Sequence, residues 1–417
     1  MTQRYDTYKD SGVQWLGEIP GHWEMRKMKY IFDERSEKNH PNESMLSATQ
    51  SEGVILQSKY QGRVVVVNTG FEGLKLVKDG DFVIHLRSFQ GGIEYAYDRG
   101  IISSAYTILN PKYPEFSAYY RRLFKSISFI DLLKICVTGI REGQNINYSK
   151  LKQFFIPLPP LSEQRSIVSY LDDKCGKIDE WVTKKQKEVE HLQELKQRVI
   201  ADAVTRGLNP HAKMKATNIP WLKEIPGHWE MRKMKYLFDE RSEKNHPHEP
   251  MLSATQSDGV ILQSKYQGRV VVVNTGFEGL KLVKVGDFVI HLRSFQGGIE
   301  YAHDRGIISS AYTILNPKYP EFSAYYKRLF KSSSFIDLLK ICVTGIREGQ
   351  NINYSKMKQF SIPVPPLSEQ KQIVSYLDAK CAKIDKLIAN ITKEIECIKE
   401  YKQRLISDVV AGQIKVC

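Results

Sequence analysis

No stretch of about 18 uninterrupted apolar residues occurs in the chain, so no membrane-spanning helix is expected. The opening residues, "MTQRYDTYKDSG", are polar and lack the apolar core of a secretion signal, which predicts a cytoplasmic protein. Cysteine is scarce. The six are Cys136, Cys175, Cys342, Cys381, Cys397 and Cys417, and none forms a C-x-x-C pair. Such spacing indicates neither a zinc ribbon nor a redox motif, and the cysteines are expected to be small buried residues.

Catalytic motifs are missing as well. There is no G-x-x-x-x-G-K-[ST] phosphate loop, so no P-loop ATPase. "NPKY", at Asn110–Tyr113 and again at Asn316–Tyr319, lacks the second proline of the N-P-P-[YF] motif, and no glycine-rich cofactor loop precedes it. It reads as a turn. Glu194-Leu195-Lys196 has the form of a nuclease-motif tail but falls on a helical stretch, as a solvated face. His22 and His228 follow "IPG" without metal-ligand spacing and are expected to pack near Trp23 and Trp229. No catalytic residue and no metal site is therefore expected.

What the chain does have is charge and repetition. Its 417 residues, 41% apolar and 11% aromatic, suit a folded protein of two or three domains. The formal net charge of +14 attracts polyanions, with nucleic acid the leading candidate. Aligning Trp15 with Trp221 needs a shift of 221 − 15 = 206, and that shift holds to the C-terminus. Between residues 15–156 and 221–362 only about eleven positions differ, among them Gly17/Lys223, Asn42/His248, Asp79/Val285, Tyr97/His303 and Ile127/Ser333. A period this long means two whole domains in tandem rather than a solenoid.

Each unit has two parts. In the first, "GRVVVVNTG", "DFVIHLRSF" and "GIISSAYTIL" are β-branched runs bounded by glycine, hence strands. "FSAYYRRLFKSISFIDLLKIC" follows with helical spacing at Tyr119, Leu123, Phe124, Ile127, Ile130 and Leu133. A polar loop, "VTGIREGQNINYSK", and the strand-like "FFIPLPP" close the domain.

The second part is one long helix. Pro159–Pro160 block an earlier start, Ser162 is the expected N-cap, and Glu163 favours the positive helix start. Val168, Leu171, Cys175, Ile178, Val182, Val189 and Leu192 step by threes and fours, with Lys185 at the missing position. The second copy is cleaner: Val374, Leu377, Cys381, Ile384, Ile388, Ile391, Ile395 and Ile398. Sustained heptads argue for a coiled coil.

The expected fold class is α+β: two homologous mixed α/β domains and two long helices forming an antiparallel coiled coil, pseudo-two-fold symmetric. The alternative is that each helix folds against its own domain. The expected divisions are residues 1–158, a recognition domain; 159–206, a spacer helix; 207–220, a linker; 221–364, a second recognition domain; and 365–417, a second spacer helix. About forty residues at 1.5 Å each give a rod on the order of 60 Å. Two inverted basic domains on such a spacer match a split, inverted-repeat DNA site, with half-site centres within roughly 18 base pairs.

Three loops carry the candidate DNA contacts. "HLRSFQGGIEYAYDRG" offers Arg87, Gln90, Tyr95, Tyr97 and Arg99 around Gly91–Gly92, and its repeat offers Arg293, Gln296, Tyr301, His303 and Arg305 around Gly297–Gly298. Arginine can bridge the guanine O6/N7 edge and glutamine the adenine N6/N7 edge. Adjacent glycines permit close backbone approach or make a turn. "TGIREGQNINYSK" offers Arg141, Gln144 and Asn145, repeated as Arg347, Gln350 and Asn351. "QSKYQGR" adds Lys59 and Arg63, repeated as Lys265 and Arg269, suited to phosphates, which position without reading sequence.

"SGVQWLGEIPGHWE", "GIISSAYTIL" and "IPLPPLSEQRSIVSYLD" together resemble the specificity subunit of type I restriction-modification systems, across essentially the whole chain, twice. The resemblance implies two target-recognition domains reading a bipartite site in double-stranded DNA, in a subunit that performs no catalysis. It implies assembly with two modification subunits, which carry S-adenosylmethionine and methylate adenine. It also implies restriction subunits that use ATP and Mg for translocation and cleavage. No cofactor is expected in this chain. One departure matters: family members usually carry two unlike recognition domains, whereas these are almost the same. Two other readings stay open, a stand-alone DNA-binding or architectural protein and an autonomous methyltransferase.

Overall fold

Short β-branched runs between turn residues make this an assembly of short strands and two very long helices. The computed structural model describes residues 3–62, 69–86, 88–138, 145–219, 221–268, 275–291, 294–344 and 351–416. The chain forms two compact units, Met1–Gln186 with Lys393–Cys417, and Lys187–Thr392. Among the described residues no helix is long and apolar enough to cross a membrane.

In the first unit a four-stranded antiparallel sheet runs in the order Phe32–Arg35, Thr107–Pro111, Phe82–Ile84, Glu94–Tyr95. Alternation along each strand serves two cores. Phe82 and Leu109 face a large one with Phe32, Tyr120, Phe124 and Phe129. Val83 and Ile108 face a small one with Leu46, Val54 and Ile102. Each fully buried phenylalanine contributes roughly 2 kcal/mol. The segment "GIISSAYTIL" splits at a turn, so that Gly100–Ile102 pairs with Lys75–Val77 and Thr107–Pro111 lies in the sheet. Asn110 of "NPKY" is thus a strand residue rather than part of a turn. Its side-chain oxygen accepts from Arg35 Nη2 at 2.8 Å, and Arg35 also holds buried Asp81 at 2.9 and 3.2 Å. Burial pushes the Asp81 carboxyl up, against the hydrogen bonds from Lys78 N–H and Arg35.

The helical stretch after the sheet is two helices, Ser117–Leu123 and Ile127–Ile135, where the periodicity predicted one. Ser126 breaks it. Its hydroxyl donates to Leu123 O at 2.7 Å and accepts from Phe129 N at 3.4 Å, capping the second helix. Ile127, predicted for the apolar face, is exposed, and Phe129 and Leu132 fill the core instead. The predicted strand "GRVVVVNTG" lies largely outside the described residues. The polar loop is bounded by paired strands, Val137–Thr138 and Asn145–Ile146, and followed by the short helix Tyr148–Leu151.

The junction explains two motifs at once. The long helix is Leu161–Arg206, so Ser162 lies in its first turn and is not the N-cap; Gln164 N already bonds Pro160 O at 3.0 Å. Glu163 reaches back to the domain. It accepts from the fully buried Trp23 Nε1 at 2.9 Å and Tyr5 OH at 3.0 Å, and His22 Nε2 lies 2.5 Å from its other oxygen. His22 therefore lies near Trp23 as predicted, partly exposed, sharing the Glu163 carboxylate with it and packing its ring 5.7 Å from that of Tyr5. Thus "GHW" and "LSEQ" are two ends of one contact.

Both long helices contribute to this unit's core. Ile167, Leu171 and Cys175 of the first pack in the same cluster as Leu405, Ile406, Val409 and Val410 of the second, Leu367–Val410. Further along, Lys402 Nζ binds Asp179 at 2.6 Å, so the segments run antiparallel. Tyr119 OH donates to Val410 O at 2.7 Å, satisfying a carbonyl at the helix end. The backbone then turns at Gly412, φ +72°, where a Cβ would lie 2.4 Å from Pro20. Lys415 N bonds Gln3 O at 2.8 Å, closing the unit.

The second unit repeats this arrangement by itself. Its sheet order is Phe238–Arg241, Thr313–Pro317, Phe288–Ile290, Glu300–Tyr301. Ser332 caps Ser333–Ile341, Glu369 accepts from Trp229 Nε1 at 3.0 Å, and Tyr325 OH donates to Val204 O at 2.6 Å. Lys196 binds Asp385 at 2.6 Å, again antiparallel. The strand Met214–Ile219 pairs with Leu222–Pro226. Along the predicted heptads Leu171, Cys175, Val182, Leu377, Cys381, Ile384, Ile391 and Ile395 are buried. Val168, Ile178, Val189 and Leu192 are only half-buried, and Ile167 and Ile373, off the predicted stripe, are fully buried. Cys136, Cys175, Cys342 and Cys381 are buried as expected, whereas Cys397 is exposed. Cys417 lies outside the described residues.

Candidate nucleic-acid interface

The "FQGG" loop leaves the end of strand Phe82–Ile84 and returns as Glu94–Tyr95. Ser88 Oγ accepts from His85 N at 2.9 Å and starts a short helical turn, Ser88–Gly91. Gly92 then adopts φ +86°, and a Cβ there would lie 2.1 Å from the Phe124 carbonyl oxygen. A Cβ on Gly91 would meet the Gln50 side chain at 2.8 Å. Both glycines thus serve to seat the loop on its own domain. Lys125 Nζ fastens it, donating to Gly91 O at 2.9 Å and to the fully buried Glu94 at 2.6 Å. Among the described residues of the loop, Leu86 and Gln90 are left exposed. Gly297, Gly298, Lys331, Glu300 and Gln296 reproduce the arrangement, with Lys331 at 2.9 Å from Gly297 O and 2.5 Å from Glu300.

Two further segments converge here. Tyr97 N bonds Val54 O at 3.0 Å, and Asp98 accepts from Leu56 N at 3.0 Å and Lys59 Nζ at 2.7 Å. The Lys59 ammonium, aided by that backbone N–H, holds the Asp98 carboxyl below its usual value. Arg99 pairs with Glu43 at 2.7 Å. In the second unit Lys265 binds Asp304 at 2.8 Å and Arg305 binds Glu249 at 2.7 Å. Gln90 also borders Lys134 and Val137, at the base of the "TGIREGQNINYSK" loop. Asn145 and Asn351 lie on the short strands Asn145–Ile146 and Asn351–Ile352 that end those loops. Arg63, Arg87, Arg141, Gln144, Arg269, Arg293, Arg347 and Gln350 lie outside the described residues.

Of the expected contacts, Gln90, Gly91, Tyr95 and Tyr97 line an open groove of about 840 Å³ together with Gln50, Arg121 and Lys134, whereas Lys59 and Arg99 are not among its lining residues. Tyr95 sits between Phe82 and Tyr97, at ring distances of 5.3 and 5.0 Å. Burial, and secondarily the charge of Asp79, pushes its phenol up. Arg121 lies over the Tyr95 ring at 5.8 Å and donates to Tyr97 OH at 3.2 Å. Arg122 pairs with Asp172 on the long helix. Sequence reasoning missed Gln50, Arg121, Arg122, Lys125 and Lys134. Arg121, Arg122 and Lys134 occupy the polar faces of helices whose apolar faces dominate the pattern, Lys125 lies in the turn between the two helices, and the "RR" pair is the available signal. The groove combines cations, amides and aromatic rings, the donor set suited to phosphates and base edges. Among the described residues no group of three or more His, Cys, Asp or Glu could hold a metal ion.

Comparison with known proteins agrees with this division. The family described as "Type I restriction modification DNA specificity domain" matches residues 20–191 and again residues 226–397. A Methanocaldococcus jannaschii protein assigned as the MjaX type I restriction enzyme specificity subunit is 24% identical, over 96% of both chains. The EcoKI specificity subunit of Escherichia coli is 20% identical over 74% of this chain and 68% of its own. A solved chain from a type I R-M system, studied for complex assembly and conformational transition, shares the fold with a TM-score of 0.63 at 17% identity, covering 94% of this chain and 98% of that one. Matched twice along its length, the chain belongs to the type I restriction-modification specificity family and is a non-catalytic, DNA-recognising subunit that carries no cofactor of its own.

Proposed function

We propose that this subunit reads a bipartite, interrupted-palindromic target and docks modification subunits, which methylate adenine with S-adenosylmethionine, and restriction subunits, which use ATP and Mg, in the cytoplasm. The observation that carries the palindrome is the near identity of residues 15–156 and 221–362. Domains this alike, presenting the same loops, read the same bases, and the antiparallel helix segments within each unit favour an inverted rather than a direct repeat. Protein symmetry then mirrors target symmetry. We assign base reading to Arg87, Gln90, Tyr95, Tyr97, Arg99, Arg141, Gln144 and Asn145, with Gly91 and Gly92 shaping their loop. Phosphate contact falls to Lys59 and Arg63, and the repeats at 206 residues further on take the same roles.

The chain's contribution is tested by co-expressing it with its modification subunits. Adenine methylation at one bipartite motif, lost when this chain is omitted and unchanged in the presence of a catalytically dead copy of the restriction subunit, is the expected result. Methylation independent of this chain would contradict the proposal. Neutralising Lys59 and Lys265 together lowers affinity for all DNA sequences and reduces the slope of affinity against salt by about 1 per phosphate contact. Sequence preference stays the same. A changed motif in that variant would place these lysines among the reading residues.

A further inference from the structure

The few differences between the two domains are not spread evenly. Glu52, Tyr97, Arg121 and Ile127 all line the groove of the first unit, and all four differ in the second, as Asp258, His303, Lys327 and Ser333. Two of these positions touch each other in both units. Arg121 Nη1 donates to Tyr97 OH at 3.2 Å, and Lys327 Nζ lies 3.1 Å from His303 Nε2. The ring keeps its place while its chemistry changes. Tyr97 meets Tyr95 at 5.0 Å and 73°, and His303 meets Tyr301 at 5.0 Å and 71°. A shorter ring tip and a changed cation have altered together, with the contact between them preserved.

We propose that positions 97 and 121, and their counterparts 303 and 327, form a coupled specificity pair that makes the two half-sites differ in stringency at one base pair. This rests on the reading that the groove faces DNA. With its oxygen accepting from Arg121, the Tyr97 hydroxyl keeps its proton for an outside acceptor, and the planar guanidinium can address a guanine edge through two N–H groups. The second domain offers less. His303 Nε2 is turned to Lys327, and the ammonium is a point charge with no fixed fork. The first half is therefore read strictly at this base pair and the second loosely, by roughly tenfold in discrimination.

The second half also acquires a pH dependence. His303 faces Lys327, Lys265, Asp304 and the Tyr301 ring, and Lys327 faces Arg328 and Asp378. Burial first, then Lys327, holds the imidazole below its ordinary value of 6.5, with Asp304 opposing, so it is neutral at pH 7 and accepts from the ammonium. Acidification through that lowered value protonates Nε2 and sets two cations side by side. The first domain has no histidine at this place.

The test is selection from a random double-stranded DNA library by the full-length chain, at fixed salt. Wild type is expected to yield two halves that agree except at one base pair, strict in one and relaxed in the other. H303Y/K327R makes both halves strict, and Y97H/R121K makes both relaxed. Each double change installs residues that the other domain already accommodates, and thermal melting confirms folding. Lowering the pH from about 8 to about 5 shifts selection in the relaxed half only. Identical halves in wild type, or double variants that leave the motif unchanged, overturn the coupled pair. Failure of every variant to select any motif overturns the DNA-reading function itself.

Discussion

Glu163 and Glu369 are the residues on which each recognition domain is fastened to its helix. Their position at a helix start suggested a favourable charge, which is correct as far as it goes. The larger role, accepting from Trp23 and Tyr5 and meeting His22, needed the fold, because 140 residues separate the partners. Glu163→Ala leaves the fully buried Trp23 indole N–H without an acceptor, at a cost of about 1–3 kcal/mol. Glu163→Gln keeps an acceptor and loses less. Thermal melting should order the three as wild type, Gln, Ala, and equal melting of Ala and wild type would contradict the account. Asp98 supplies a pH prediction. Its lowered pKa means that its contribution to stability is complete above the ordinary value of 3.8 and is lost as pH falls through the lowered one. Lys59→Met should move the Asp98 titration up, measured by carboxyl NMR, and make the loop yield to acid sooner.

Among the elements, the long helices were the most legible and the short ones the least. A heptad pattern repeated over tens of residues outweighs local accidents, so Leu171, Cys175, Ile384 and Ile391 were readable as buried. The break at Ser126 was not readable, because Tyr119, Leu123, Phe129 and Leu133 stay buried on both sides of it. The same holds where Ile167 and Ile373 replace the heptad residue. There residues of the domain and of the other helix share one core, and periodicity cannot tell one partner from another. Burial now ranks two substitutions. Asp at Ile384, 4% exposed, should cost several kcal/mol, whereas Asp at half-buried Ile178 should cost clearly less. Comparable unfolding free energies for the two would show that the stripe is wrongly placed. Tyr119→Phe and Tyr325→Phe each remove one buried hydrogen bond to a helix-terminal carbonyl, worth about 1 kcal/mol. Denaturant midpoints should fall for both, and additively.

For the molecule as a whole, the duplication was legible in full because a shift of 206 residues needs no structure to find. The groove was legible only in part. Loops rich in Gln, Arg and Tyr announced themselves, while Arg121 and Lys134 reach it from helices whose apolar faces dominated the pattern, and Lys125 from the turn between them. The central claim is that two almost identical recognition domains, set on antiparallel helices, read one half-site twice on opposite strands. Its most direct test is sequencing methylated adenines in cells carrying this chain with its modification subunits. The account predicts one motif made of a short half-site, a spacer of unspecified bases and the same half-site, relaxed at one base pair, on the other strand. A motif with two unrelated halves, or with the same half-site repeated on one strand, would contradict it.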